Sequence, residues 1–245
     1  MNLTSLLRSL NNKIFSAKWA ALFLLGVLLI GVGIFFVLHE RAVSRQHTAT
    51  DTDWSLIGRQ VSERDHTIGN VNAPIQVIVY ADFECKYCAD LFKTDIPKLQ
   101  AKFGEQIVIA YRHLPLPIYP GSEVESEASE CVYQLGGNDA FWKFAREMFS
   151  LPKGVKKTNP DVLLKTAVSA GVDGGKFTTC MQQGGGKARV EEDKIEGSIA
   201  GMTMTPSLLL KSAHRALVIS GNYYSQIYTG INYLLDTNNQ IAKRR

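Results

Sequence analysis

The chain has 245 residues, with 27 Lys and Arg against 23 Asp and Glu, a formal net charge of +4, and 45% hydrophobic residues. That length suits one medium domain or two small ones, and the composition is ordinary for a folded protein. The basic residues are dispersed, without the aromatic interleaving of a nucleic-acid surface, so a nucleic-acid partner is not expected.

From Trp19 to Leu38 runs WAALFLLGVLLIGVGIFFVL, an uncharged stretch of 20 residues. As a helix it would rise about 30 Å, the thickness of a bilayer's hydrocarbon core, so a transmembrane helix is expected over 19–38. Arg8, Lys13 and Lys18 precede it with no acidic residue. Residues 1–18 are therefore expected to be a short cytoplasmic tail, and everything after Leu38 to lie outside a bacterial cytoplasmic membrane crossed once. A cleavable signal peptide is the competing reading. Against it, the run exceeds the usual apolar region of about 7–15 residues and leads into His39, Glu40 and Arg41.

Residues 39–69 lack sustained apolar periodicity and read as a linker, with room for a short helix or strand around Trp54 to Val61. The folded domain is expected from about Asn70 to 238, leaving 239–245 as a tail. Ile75 to Tyr80 and Gln106 to Leu114 carry strand patterns, and Leu91, Phe92, Ile96, Leu99 and Phe103 recur between them at helical spacing. This predicts a β-α-β unit. A helical region of about 121–200 follows, broken near Gly136, Gly137 and Asn138, and again between a helix opened by Asn159 and Pro160 and one beginning near Asp173. The glycine run Gly184 to Gly186 is a turn and not a phosphate loop, because the required spacing and its lysine-serine or lysine-threonine ending are missing. Two short strands, Ser207 to Leu210 and Ala216 to Ile219, and a terminal helix complete an α/β domain.

Cys85 and Cys88 stand in DFECKYCAD, at the predicted strand-to-helix junction. A zinc site would need a second close pair or paired histidines, whereas Cys131 and Cys180 stand apart and His39, His47, His66, His113 and His214 are scattered, so no metal site is expected. A structural staple across two residues would remove little chain entropy. At a helix start, first-turn N–H groups stabilise a thiolate, which makes Cys85 the candidate nucleophile and Cys88 the resolving thiol. Lys86 offers a cation and Tyr87 a polar ring, while Asp82 and Glu84 oppose them. His113 reads as a loop cap or an exposed group with a smaller claim on the chemistry. Met202 and Met204 read as loop packing or substrate contacts before soft-metal ligands.

On ADFECKYC, GMTMTPSLLL, AYRHLPL and FWKFAREMFS, the segment from about Asn70 to Asp236 resembles the DsbA-like thiol:disulfide oxidoreductases of the thioredoxin-fold superfamily. Lys86 and Tyr87 depart from that family's common proline and histidine. The resemblance implies a thioredoxin fold with a helical insertion, a cis-proline substrate loop at Thr205 and Pro206, and a second, non-catalytic disulfide between Cys131 and Cys180. It implies disulfide exchange with exported cysteine-containing proteins by a monomer, without a cofactor. Reoxidation would come from a membrane quinone-linked partner of the DsbB-like or vitamin-K-epoxide-reductase-like type. Net oxidation is favoured; a reductase, an isomerase, or a tethered metal-binding or interaction module remain open.

Overall fold

The computed structural model describes residues 32–34, 57–152 and 156–243. The expected span at 19–38 lies outside them apart from 32–34, which are helical, and among the described residues no helix is long and apolar enough to cross a membrane.

Five strands form one mixed sheet in the order β1-β3-β2-β4-β5. They are β1 (His66–Gly69), β2 (Ile75–Ala81), β3 (Ile107–His113), β4 (Ser207–Lys211) and β5 (Ala216–Ser220). β2 and β3 pair in parallel, Val77 opposite Ile109, while β1 on β3, β4 on β2 and β5 on β4 are antiparallel. The period-2 alternation of β2 gives the sheet two buried faces. Ile75, Val77 and Val79 enter the larger core with Tyr111, Leu208 and Leu210; Ile78 and Tyr80 enter a smaller one with Val108, Ala110 and Leu209.

The parallel pair requires a crossover, and the chain makes it with α1 (Lys86–Asp90), a π-helical turn (Leu91–Asp95) and α2 (Ile96–Phe103). Pro97 falls in the first turn of α2, where no N–H is needed. Leu91, Ile96, Leu99 and Phe103 bury the inner face of this segment in the larger core. Four residues carry the chain from β2 into α1, and the last of them, Cys85, is the N-cap of that helix.

Between β3 and β4 the chain inserts α3 (Ser122–Ser150), α4 (Pro160–Ser169), α5 (Gly174–Gln182) and α6 (Lys187–Ile199). α3 breaks at Gly137, whose φ of 72° and ψ of −165° only glycine adopts readily. Asn159 caps α4 by accepting the Asp161 N–H, and Asp173 caps α5 by accepting the Lys176 N–H. α6 lies against the smaller core so closely that a Cβ on Gly197 would sit 3.0 Å from the Tyr80 ring. The closing helix α7 (Tyr224–Ala242) packs Ile227, Ile231 and Leu234 into the larger core.

Two boundaries differ from the sequence reading. The linker does not reach residue 69: β1 already pairs with β3, and Arg59 and Asp65 bind Arg112, so the fold includes residues from at least Ile57. Four residues reading HTIG give no periodicity to detect; their pairing is supplied by β3. At the other end, α7 continues through 239–242, where a tail was expected.

Cys131 and Cys180 are bonded, Cα atoms 5.8 Å apart, joining α3 to α5 across 49 residues of sequence. Replacing both by alanine is expected to cost about 2–4 kcal/mol by releasing that loop in the unfolded chain. Urea unfolding of the double variant would show it as a lower midpoint; an unchanged midpoint would mean the bond constrains little.

Candidate functional site

Strand β2 ends at Ala81, and the next four residues carry the chain into α1. Asp82 fixes this bend. Its carboxylate accepts from the Glu84 N–H at 2.8 Å, the Leu116 N–H at 2.9 Å and the Ser122 hydroxyl at 2.7 Å, and its backbone carbonyl accepts from the Cys85 N–H. Burial raises the Asp82 pKa against these three donors. Asp82 thus acts as a brace for the loop, and its charge is spent on fixed donors.

The two thiols are unbonded to each other and differ in environment. Cys85 keeps 2% of its surface exposed and Cys88 none, so an incoming sulfur has its opening at Cys85. The Cys85 pKa is pulled down to about 6, first by the hydrogen bond from Cys88; burial opposes, and the Thr205 side chain and the N–H groups of Cys88 and Tyr87 add to the lowering. Cys88 is raised well above an ordinary thiol, first by burial and then by Cys85. One sulfur is a ready thiolate and the other holds its proton.

Facing them is the segment before β4. The Thr205–Pro206 peptide bond is cis, and the Thr205 carbonyl accepts from the Cys85 thiol at 3.3 Å. Thr205 and Pro206 therefore stand at the nucleophile, although 120 residues separate Cys85 from Thr205. Met204 is half-exposed beside them, while Met202 is buried in the smaller core.

The residues expected to tune Cys85 act elsewhere. The Lys86 ammonium reaches Asp90 at 2.6 Å, an i,i+4 pair on the exposed side of α1, and lies 5.3 Å from the Tyr87 ring centre, so Lys86 does not supply the thiolate's cation. Tyr87 contributes its backbone N–H while its ring stands in solvent. Glu84 adjoins Glu125, a fully buried carboxyl pushed up to about 9, first by burial and then by Glu84. Sequence reasoning passed over Glu125, because nothing in SEVESEASE distinguishes it from its exposed neighbours. His113 is neither a loop cap nor exposed: it is buried at the end of β3, with Nε2 2.8 Å from Glu130 Oε1.

Comparison with known proteins places this geometry. Residues 61–220, well over half of the chain, match the family model described as thioredoxin. Among solved structures the fold is similar to oxidised BdbD from Bacillus subtilis, with a TM-score of 0.64 and 21% identity over 74% of this chain and 98% of that one. It is also similar to DsbA from Chlamydia trachomatis, with a TM-score of 0.63 and 18% identity over 74% and 95%, and to α-DsbA1 from Wolbachia pipientis, with a TM-score of 0.62 and 18% identity over 76% and 96%. Curated relatives include a Na(+)/H(+) antiporter NhaA 1 of Mycolicibacterium gilvum, 28% identical over 151 residues, and one of Salinispora arenicola, 30% identical over 149. Each match covers 60% of this chain, and the chain spans under a quarter of these antiporters, 23% and 22%. On the extent of the family match and on the architecture of its sheet and insertion, the chain belongs to the thioredoxin family and has the DsbA-like form of its fold.

Proposed function

We propose that the protein is a thiol:disulfide oxidoreductase acting on exported cysteine-containing proteins, with net disulfide formation as its direction. The observation that carries this reading is the unequal pair beside the cis Thr205–Pro206 bond: Cys85 keeps the only opening of the two and is pulled down to about 6, while Cys88 is fully buried and raised. A stabilised Cys85 thiolate is a good leaving group and favours the reduced enzyme, which makes the disulfide form an oxidant.

In the oxidising cycle a substrate thiolate attacks Cys85 Sγ of the Cys85–Cys88 disulfide. The S–S bond breaks, a mixed disulfide forms, and Cys88 leaves as a thiolate that takes up a proton. A second substrate thiolate attacks the substrate sulfur of the mixed disulfide and Cys85 leaves. Two substrate thiolates have become one disulfide, and the enzyme has gained two electrons and, at neutral pH, one proton, as a Cys85 thiolate beside a Cys88 thiol. The Thr205 backbone and the exposed Met204 and Tyr87 side chains are the surface proposed to receive the substrate chain.

A membrane anchor at 19–38, an extracytoplasmic domain and a quinone-linked reoxidising partner of the DsbB-like or vitamin-K-epoxide-reductase-like type complete the proposal. A match to under a quarter of an antiporter gives no ground to propose ion transport.

Alkylation of the reduced protein against pH tests the carrying observation. Cys85 is expected to react with a midpoint near pH 6, well below an ordinary thiol; a midpoint above 8 would remove the basis for an oxidase. Measuring the reduction potential against glutathione then separates net oxidation from reduction or isomerisation.

A further inference from the structure

Three buried side chains outside the thiol chemistry converge between β1, β3 and α3. His66 Nε2 lies 2.5 Å, and His113 Nε2 2.8 Å, from the same atom, Glu130 Oε1. His66 and His113 are fully buried and Glu130 keeps 2% of its surface. Register explains the histidines: His66 pairs with Tyr111, so His113, two residues further along β3, projects on the same face at the diagonal position. Glu130 reaches the pair from α3.

The surroundings are aromatic. The His66 ring stacks on Phe141 with centroids 3.6 Å apart and meets Tyr133 edge-to-face at 4.5 Å, while Tyr111 meets His113 edge-to-face at 5.1 Å. A carboxylate in such a setting is costly unless a positive charge answers it. Glu130 is such a carboxylate, with both imidazoles on one of its oxygens. Among the described residues its ion-pair partners are these two imidazoles, and no Lys or Arg joins them. The hydrogen bonds also leave the cluster incomplete, since Nδ1 of each histidine is buried without a partner.

We propose that His66, His113 and Glu130 form a structural site for a divalent transition-metal ion, zinc(II) first. The ligand atoms lie within 4.8 Å of one another, and two imidazoles with a carboxylate are a donor set zinc accepts, the carboxylate supplying both oxygens as third and fourth donors. Zinc bonds of about 2.0–2.1 Å need ligand atoms roughly 3.4 Å apart, so the rings withdraw by less than about 1 Å. With Nε2 of each ring on the metal, each Nδ1 carries the proton of the neutral imidazole. The ion would supply the countercharge and fasten the edge strand to β3 and the insertion, independently of the thiol chemistry.

The test uses the oxidised full chain, in which joined Cys85 and Cys88 do not compete for metal. Titration with zinc(II) is expected to load about one ion per chain and raise the thermal midpoint, and a chelator to reverse the shift. Cobalt(II) is expected to give the visible bands of a four-coordinate nitrogen and oxygen site. Glu130→Gln and His113→Gln are each expected to lower affinity at least about 100-fold, beyond the loss caused by altering a ligand's supporting partner. No uptake by the wild-type protein would overturn the proposal, as would folded variants that bind like wild type. Should the variants fail to fold, histidine nitrogen resonances of the wild type decide: zinc must shift two Nε2 signals, and unmoved signals refute the site.

Discussion

Replacing Cys85 by serine is expected to lower the rate of disulfide exchange by at least about 1000-fold, the scale on which loss of a nucleophile acts. The hydroxyl does not ionise near neutral pH and forms no disulfide, so neither attack nor release survives. Replacing Cys88 by serine leaves the Cys85 thiolate able to attack a substrate disulfide but removes the thiol that resolves the product. Mixed disulfides through Cys85 should then accumulate and be visible on non-reducing gels. Oxidation of a reduced dithiol peptide is the rate assay for both variants. A Cys85→Ser protein retaining a tenth of the wild-type rate would refute the assignment of the nucleophile. Trapped adducts with many exported chains would favour a general oxidase, and one dedicated adduct a specialised enzyme.

Asp65→Ala is expected to destabilise the domain by about 3–5 kcal/mol, the scale on which removing one partner of a buried ion pair acts. Asp65 accepts from Arg112 at 3.0 Å and from Arg59 at 2.8 and 3.1 Å, with Arg189 3.4 Å away. Arg112 is fully buried near the end of β3, and without Asp65 its guanidinium keeps, among the described residues, only Glu196, 3.2 Å away, as an ion-pair partner. Burial alone would raise the Asp65 pKa; Arg112 and then Arg59 outweigh it and bring it to about 2. With the folded value below the unfolded one, the contribution is complete above about pH 4 and is lost as pH falls through about 2. Chemical denaturation at pH 7 and pH 3 checks both statements: the gap between wild type and variant should narrow in acid. An equal gap at both would show that Asp65 acts by packing alone.

The parts of this molecule legible in its sequence are those whose cause is local. The β-rich apolar runs of β2 and β3, the Asn159 and Asp173 helix starts, and two cysteines nearly one helical turn apart each carry their reason within a few residues. Pro206 was legible by resemblance, and its position at Cys85 comes from the pairing of β4 with β2. The cluster of His66, His113 and Glu130 was not legible, because strand register and helix docking, and no spacing along the chain, bring it together. β1 escaped for a related reason: HTIG has no pattern of its own and is a strand by virtue of its neighbour. Lys86 is the instructive miss. Its neighbour in sequence is a sulfur, but its charge goes to Asp90, four residues on, as an ordinary helical pair.

Asp82 joins two parts of the chain that folding brings together from either end of the β-α-β unit. One carboxylate grips the backbone just before Cys85, the backbone at Leu116 and the first residue of α3. Any tilt of α3 is therefore transmitted to the nucleophile's loop through a rigid three-way joint. A substitution within the insertion can then reach the loop that carries Cys85 while Cys85, Lys86, Tyr87 and Cys88 stay the same.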